Sequence, residues 1–140
     1  MAESVFRHTH RVVYAECTIG NHVYYSRYLD MLEEARGEFL RQLGCSALQW
    51  QEAGIAFPVI GVEISYKGPA RYDDLLTIEL WVAEMGGVRL TVGFRILNAG
   101  GALLAEGVTR HICATTEGKP KRLPKEFMEA LQPFTRNCEP

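Results

Sequence analysis

The sequence predicts an α+β fold in which an antiparallel sheet of about five strands wraps around one long central helix. Residues 23–43 carry apolar side chains at helical spacing, and residues 5–16 are rich in the β-branched and aromatic residues typical of a strand. Residues 57–116 contain four more strand patterns separated by short turns. Because 140 residues is the length of one domain, we expect a single domain over 1–140.

A short turn separates the first strand from the helix. The strand is VFRHTHRVVYAE, residues 5–16, and the turn is CTIGN, in which Gly20 and Asn21 favour a change of chain direction. The helix covers about residues 23–43, and Gly44 is a natural stop. Its expected apolar stripe consists of Tyr25, Tyr28, Leu29, Leu32, Ala35, Phe39, Leu40 and Leu43.

Capping and turn residues mark the remaining elements. Ser46 and Gln49 form a capping box that predicts a short second helix. Gly86-Gly87 predicts a two-residue hairpin, since both positions tolerate positive φ, and Pro124 predicts the start of a final short helix. The four strands after the second helix are predicted at 57–67, 75–85, 88–96 and 102–116.

The composition excludes several classes of protein. A formal net charge of -2 provides no basic field for nucleic acid, and no apolar run reaches the roughly 20 residues that span a bilayer. The four cysteines show no CxxC spacing, so neither a zinc site nor a dithiol site is expected. The N-terminus lacks an export signal, and we expect a cytoplasmic protein with reduced thiols at Cys17, Cys45, Cys113 and Cys138.

Two segments carry a family resemblance. YAECTIGNHVYYSRYLDMLEEARGEFLRQLG (14–44) and ISYKGPARYDDLLTIE (64–79) resemble the motifs of the 4-hydroxybenzoyl-CoA thioesterase-like acyl-CoA thioesterases. The resemblance implies the hotdog fold and hydrolysis of an acyl thioester, with coenzyme A or phosphopantetheine as part of the substrate and no further cofactor. The matching positions in the first segment are Val23, Tyr24, Tyr28, Leu29, Glu33, Ala35, Arg36 and Glu38.

The chain departs from that family at two positions. The family usually has a catalytic aspartate in the turn and often a histidine after V-Y, where this chain has Thr18 and Tyr25. The thioesterases of enediyne polyketide pathways also lack the aspartate, and ECTIGNHVYY is similar to their corresponding stretch. This likeness implies a site role for Arg36 and makes an acyl-carrier-protein thioester a second substrate class.

The start of the long helix is expected to polarise the carbonyl of the substrate. The first amides of a helix are unpaired and carry partial positive charge, so N–H groups near His22–Tyr25 are expected to polarise the thioester carbonyl. Thr18, Asn21 and Tyr25 are expected to position the water and the carbonyl, and Arg36 to support the turn. The candidate catalytic residues are therefore Thr18, Asn21, Tyr25, Arg36, Glu16 and His22.

Cations are expected to bind the phosphates of the coenzyme. The run KPKR, residues 119–122, is the densest, although such a run is also typical of a solvated loop. The Gly68-Pro69-Ala70 turn lets pantetheine pass close to the backbone. The predicted substrate-binding residues are Tyr24, Lys67, Pro69, Arg71, Arg89, Lys121 and Arg122.

Some of these residues also have a purely structural interpretation. His22 is typical of a capping residue, Glu16 of a solvated surface carboxylate, and Arg36 of an ion-pair partner within the helix or of a neighbouring subunit. His8 and His10 on the first strand have no recognisable ligand partner in the sequence.

Exposed sheet edges predict association. A sheet covered on one face needs its edges protected, so we expect a homo-oligomer, either a dimer or a dimer of dimers (a homotetramer). Two functional alternatives remain open. Thr18 in place of aspartate is compatible with a non-catalytic acyl-CoA or acyl-carrier binding module. A dehydratase-type hotdog enzyme is the other alternative, weakened because the helix lacks the expected histidine and carboxylate pair.

Overall fold

The computed structural model describes residues 4–136. The strands of the main sheet are β1 Phe6–Arg11, β5 Val59–Tyr66, β6 Leu75–Gly86, β7 Arg89–Leu97 and β8 Leu103–Ile112. This sheet is antiparallel and has the strand order β1-β6-β7-β8-β5. The short strands are β2 Cys17–Thr18 with β3 His22–Val23, and β4 Ile55–Ala56 with β9 Ala114–Thr115. The helices are α1 Arg27–Gln42, α2 Ala47–Glu52 and α3 Lys125–Leu131.

The first strand ends earlier than its composition predicts. Arg11 pairs with Leu75, the first residue of β6, so no ladder partner exists beyond that point. The amide of Val12 donates instead to the carbonyl of Asp74 at 2.9 Å. Residues 14–16 then form a single 3₁₀ turn, and the predicted strand over 5–16 is shortened to Phe6–Arg11.

The central helix begins at Arg27, four residues after the predicted start. His22–Val23 belongs to a hairpin with Cys17–Thr18, which reverses through the positive φ angles of Gly20 (95°) and Asn21 (59°). Pairing with β2 holds these residues in an extended conformation that a helix cannot use. The helix ends at Gln42, close to the predicted end.

One face of α1 packs on the main sheet and forms the core with it. Tyr25 and Leu29 were expected in the apolar stripe, but they are 61% and 39% exposed, because the helix begins after Tyr25 and turns Leu29 outward. Met31 takes a buried place in that face. The buried residues of the helix are Tyr28, Met31, Leu32, Ala35 and Phe39.

The β6–β7 hairpin and the last strand differ slightly from prediction. Gly86 pairs with Arg89, so the two turn residues are Gly87 and Val88, not Gly86 and Gly87. The strand expected over 102–116 breaks at Cys113, where the chain leaves β8 to pair with β4. Pro124 occupies the N-cap position of α3, directly before its first residue Lys125, and makes no side-chain capping hydrogen bond.

Two sequence expectations concern the cysteines and the membrane. Cys17, Cys45 and Cys113 are free thiols, and Cys138 lies outside the described residues. Between residues 4 and 136, no helix combines the length and the apolar character needed to cross a bilayer.

Candidate active site

An open cleft of about 560 Å³ lies beside the start of α1. The β2–β3 hairpin forms one wall, and the end of β5 with the turn that follows it forms the other. Tyr28 and Tyr66 also line the cleft, and neither was among the predicted site residues. The predicted site residues that line it are Thr18, His22, Tyr24, Tyr25, Lys67 and Pro69.

Two of the amides expected to polarise the carbonyl already donate hydrogen bonds within the protein. Val23 donates its N–H to the carbonyl of Ala70 at 2.8 Å, and Tyr24 donates to the carbonyl of Glu16 at 2.9 Å. The amides of Tyr25, Ser26 and Tyr28 have no acceptor among residues 4–136. Because the helix begins at Arg27, the free donors lie later in the chain than predicted and share only Tyr25 with the predicted set.

A tyrosine cluster connects the cleft walls. The hydroxyl of Tyr66 donates to the carbonyl of Tyr25 at 2.9 Å, and the hydroxyl of Tyr28 accepts the amide of Ala70 at 3.2 Å. The rings of Tyr28 and Tyr66 lie 5.4 Å apart, and burial raises the pKa of both phenols. The I-x-Y pattern in the second family motif was the signal that could have found Tyr66.

Asn21 supports the hairpin from outside this cleft. Its amide donates to the carbonyl of Thr18 at 3.1 Å, and its side-chain oxygen accepts the amide of Tyr72 at 3.3 Å. Arg71 donates to the carbonyl of Asn21 at 3.4 Å. Asn21 therefore lines a neighbouring groove with Tyr14 and Tyr72, not the cleft at the helix start. Its contacts fit a role in holding the turn that carries Thr18.

Glu16 is engaged by other side chains. Its carboxylate lies 2.9 Å from Nε2 of His10 and accepts the amide of Val13 at 2.9 Å. The side chain of Glu16 is only 13% exposed, so the interpretation as a solvated surface carboxylate is wrong. His8 and His10 also have partners, since both contact the carboxylate of Glu34. Sequence alone could not find these contacts, because they join β1, the 3₁₀ turn and α1.

Arg36 lies away from the turn it was expected to support. It is eight residues beyond Tyr28, which is about 12 Å along a helix axis. It lines a small, mainly apolar pocket of about 90 Å³ between α1 and the sheet, together with Phe39, Phe57 and His111. Burial lowers the pKa of Arg36, while the charge of Glu33 raises it.

His111 is a buried neutral histidine that the sequence did not single out. Burial, and then the charge of Arg36, lower its pKa to about 4. Nδ1 lies 3.2 Å from the carbonyl of Phe57, which can only accept, so Nδ1 carries the proton. Nε2 then accepts from the hydroxyl of Thr109 at 2.9 Å. Both ring nitrogens are satisfied, so His111 serves as a fixed part of the pocket wall.

Three predicted phosphate ligands lie far from the cleft within one chain. Tyr66 pairs with Ala105, whereas Arg89 pairs with Ile112, seven residues further along β8 and about 23 Å away. The 119–122 loop packs at that same end, where the amide of Leu123 donates to the carbonyl of Gly87. Lys67 is at the cleft and Arg71 is at the hairpin beside it. The predicted cations that the chain does not bring to its own cleft are Arg89, Lys121 and Arg122.

Comparison with known proteins agrees with this architecture. Residues 12–131 match the model of the thioesterase-like superfamily. The acyl-CoA thioester hydrolase YbgC of Escherichia coli O6:H1 is 34% identical over 129 residues, which cover 91% of this chain and 96% of YbgC. The long-chain acyl-CoA thioesterase FadM of Escherichia coli K12 is 32% identical over 118 residues, covering 82% of this chain and 88% of FadM.

Solved structures confirm the predicted hotdog fold. The 1,4-dihydroxy-2-naphthoyl-CoA thioesterase Slr0204 of Synechocystis superimposes with a TM-score of 0.85 at 26% identity, covering 92% of this chain and 96% of Slr0204. The chain belongs to the thioesterase-like superfamily.

Proposed function

We propose that this chain hydrolyses the thioester of an acyl-coenzyme A, with the reacting carbonyl held at the start of α1. The proposal rests on the amides of Tyr25 and Ser26, which have no hydrogen-bond acceptor among residues 4–136 and precede the helix beside an open cleft. Family membership and the names of YbgC and FadM support this reaction over the dehydratase alternative.

The amides stabilise the charge that develops during the reaction. Water adds to the thioester carbon, and the carbonyl oxygen becomes an oxyanion. Preorganised N–H donors at a helix N-terminus stabilise such an oxyanion, and loss of one donor typically costs about 10²–10³-fold in rate. The tetrahedral intermediate then expels the coenzyme thiolate by breaking the C–S bond, and the thiolate takes up the proton that the base removed from the attacking water.

Thr18 and His22 form the water-binding pair of the proposal. They are direct partners in the β2–β3 ladder, so their side chains project from the same face with Cβ atoms about 5 Å apart. The Thr18 hydroxyl holds the water, and the His22 imidazole accepts its proton, the commonest general-base chemistry in enzymes. Tyr25 orients the carbonyl, while Glu16 and Asn21 hold the turn.

The coenzyme is proposed to leave the cleft along the turn after β5. Lys67 supplies a cation there, and the Gly68-Pro69 backbone gives the pantetheine a surface without large side chains. Arg71 lies at the adjacent hairpin. These groups suit the anionic phosphates of coenzyme A or of phosphopantetheine, and none of the described residues that line the cleft distinguishes the two.

The active unit is proposed to be a homodimer joined through β5, either alone or paired as a tetramer. β5 is an edge strand, and Val59, Ile60 and Val62 on it are 44%, 51% and 38% exposed. An exposed apolar edge is a ready template for pairing with a second copy. Since β5 ends at Tyr66 in the cleft wall, such pairing brings the partner subunit close to the site. We further propose a cytoplasmic location, in line with the reduced cysteines expected from the sequence.

Release of free thiol tests the reaction directly. The purified protein is incubated with a panel of acyl-CoA thioesters and acyl-carrier-protein thioesters, and the thiol is titrated over time. We expect turnover of at least one acyl-CoA. Saturable binding of acyl-CoA without any thiol release across the panel would contradict the proposal and favour the non-catalytic binding module.

A further inference from the structure

His10 bridges two carboxylates, those of Glu16 and Glu34, next to the β2–β3 hairpin that carries Thr18. Nε2 of His10, on β1, lies 2.9 Å from both carboxylate oxygens of Glu16. Nδ1 of the same ring lies 3.1 Å from the carboxylate of Glu34 on α1. The side chains of His10 and Glu16 are 11% and 13% exposed, so solvent screens their contact weakly. The imidazole of His10 therefore connects β1, the 3₁₀ turn before the β2–β3 hairpin, and α1.

Glu16 connects His10 to the backbone of the proposed site. Its carboxylate accepts the amide of Val13, and its carbonyl accepts the amide of Tyr24 at 2.9 Å. Thr18 follows two residues later, and Tyr25 follows directly after Tyr24. A residue that fixes Glu16 thus fixes both the hydroxyl proposed to hold the water and the amide proposed to hold the carbonyl.

The bridge requires a protonated ring. A neutral imidazole has one N–H and can donate to only one carboxylate, whereas an imidazolium donates to two. Burial by itself lowers the pKa of His10, but the hydrogen bonds and charges of Glu16 and Glu34 outweigh it and raise the pKa. The titratable groups that face His10 are Glu16 and Glu34, and His8 reaches it through Glu34 at 2.6 Å.

We propose that His10 is a positioning residue for hydrolysis, whose imidazolium, held between Glu16 and Glu34, sets the relative position of the Thr18 hairpin and the start of α1. This inference rests on the proposed function of the cleft. The bridge is complete below the ordinary histidine value of 6.5 and is lost as the pH rises through the raised pKa of His10. The turnover rate therefore falls on the alkaline side because the site loses its geometry.

The experiment compares His10→Gln with His8→Gln. Both histidines lie on β1 and both contact Glu34, but His8 has no contact with Glu16 within the described residues, so His8→Gln is the matched control. We expect His10→Gln to lower kcat on the order of tenfold to a hundredfold with little change in KM, as expected for a misplacement of about 1 Å, and to remove the alkaline fall in kcat. His8→Gln keeps kcat within about twofold of wild type.

A second variant tests the inference even if His10→Gln does not fold. Glu34→Gln removes one of the two anions that raise the pKa of His10, so the alkaline fall in kcat is expected to move to lower pH. An unmoved alkaline limb in Glu34→Gln, equal losses in the two histidine variants, or normal kcat in His10→Gln would each overturn the inference. Absence of thiol release by the wild-type protein would instead overturn the proposed function.

Discussion

The hydroxyl of Tyr66 donates a hydrogen bond of 2.9 Å to the carbonyl of Tyr25, which ties the edge strand β5 to the residues just before α1. The same peptide segment presents the amides of Tyr25 and Ser26, which find no acceptor within the described part of the chain. The orientation of the proposed carbonyl-binding donors therefore depends on a side chain 41 residues away in sequence.

Tyr66→Phe is expected to lower kcat by about threefold to tenfold and the free energy of unfolding by about 1 kcal/mol, the typical loss for one hydrogen bond. The effect on kcat arises because the amide donors lose an anchor while the apolar wall stays in place. Tyr72→Phe is the control, because Tyr72 is half-exposed and its ring contact with Tyr14 survives the change. Thiol-release kinetics and urea unfolding measure both effects; equal activity in the two variants would show that Tyr66 does not anchor the site.

Thr18→Ala is expected to lower kcat by about 10²-fold, because the water loses its hydrogen-bond partner opposite His22. Thr18→Asp is expected to retain or raise the wild-type rate, since a carboxylate at this position can accept the proton itself. Both variants are assayed with the same acyl-CoA at several pH values. Unchanged rates in both would remove Thr18 from the mechanism.

The lowered pKa of His111 predicts that the folded protein loses stability in mild acid. Its pKa is about 4 in the folded protein, below the ordinary 6.5, so the unfolded chain binds the proton more strongly. The stabilisation is complete above pH 6.5, declines as the pH falls and is lost below pH 4. The shift corresponds to about 3 kcal/mol.

The measurement is urea unfolding of wild type and His111→Gln between pH 4 and 7. Glutamine retains hydrogen-bonding groups for Thr109 and Phe57 but does not titrate in this range. We expect a shallower dependence of the unfolding free energy on pH in the variant. Parallel curves for the two proteins would contradict the assignment of a buried neutral histidine.

The edge of β5 is expected to control assembly. Val62→Lys introduces a charge at the exposed edge of β5, which disfavours pairing with a second copy. We expect a shift toward monomer in sedimentation and a parallel loss of activity. Leu48→Lys is the control, because Leu48 is 62% exposed and belongs to α2, not to the strand β5. An unchanged sedimentation profile in Val62→Lys would rule out β5 as the interface.

Sequence patterns predicted more of the fold than of the site. The apolar period of the central helix, the alternation on β6 and β7 and the two motifs were sufficient for the hotdog fold and the thioesterase family, both of which are confirmed. Thr18, His22, Tyr24 and Tyr25 were also expected near one another, because they lie within eight residues of chain.

The differences between the predicted and the observed site arise from contacts between residues that are far apart in sequence. Arg36 and His111 meet in a pocket because a helix residue packs over β8, and neither residue type indicates that contact in isolation. The prediction that Arg36 supports the turn rested on a family motif. In the structure, the position of Arg36 along α1 places its side chain in the pocket with His111. Arg89, Lys121 and Arg122 were grouped by charge, but strand length separates them from the cleft.

The sequence by itself determined the order of the main elements, most of the buried face of the helix and the family, because these depend on local periodicity and on short motifs. Only the tertiary structure decided where the helix begins and which amides remain free, because β2–β3 pairing competes with helix formation over residues 22–23. It also decided that His10 holds Glu16. That contact forms only when folding brings β1, α1 and the hairpin together.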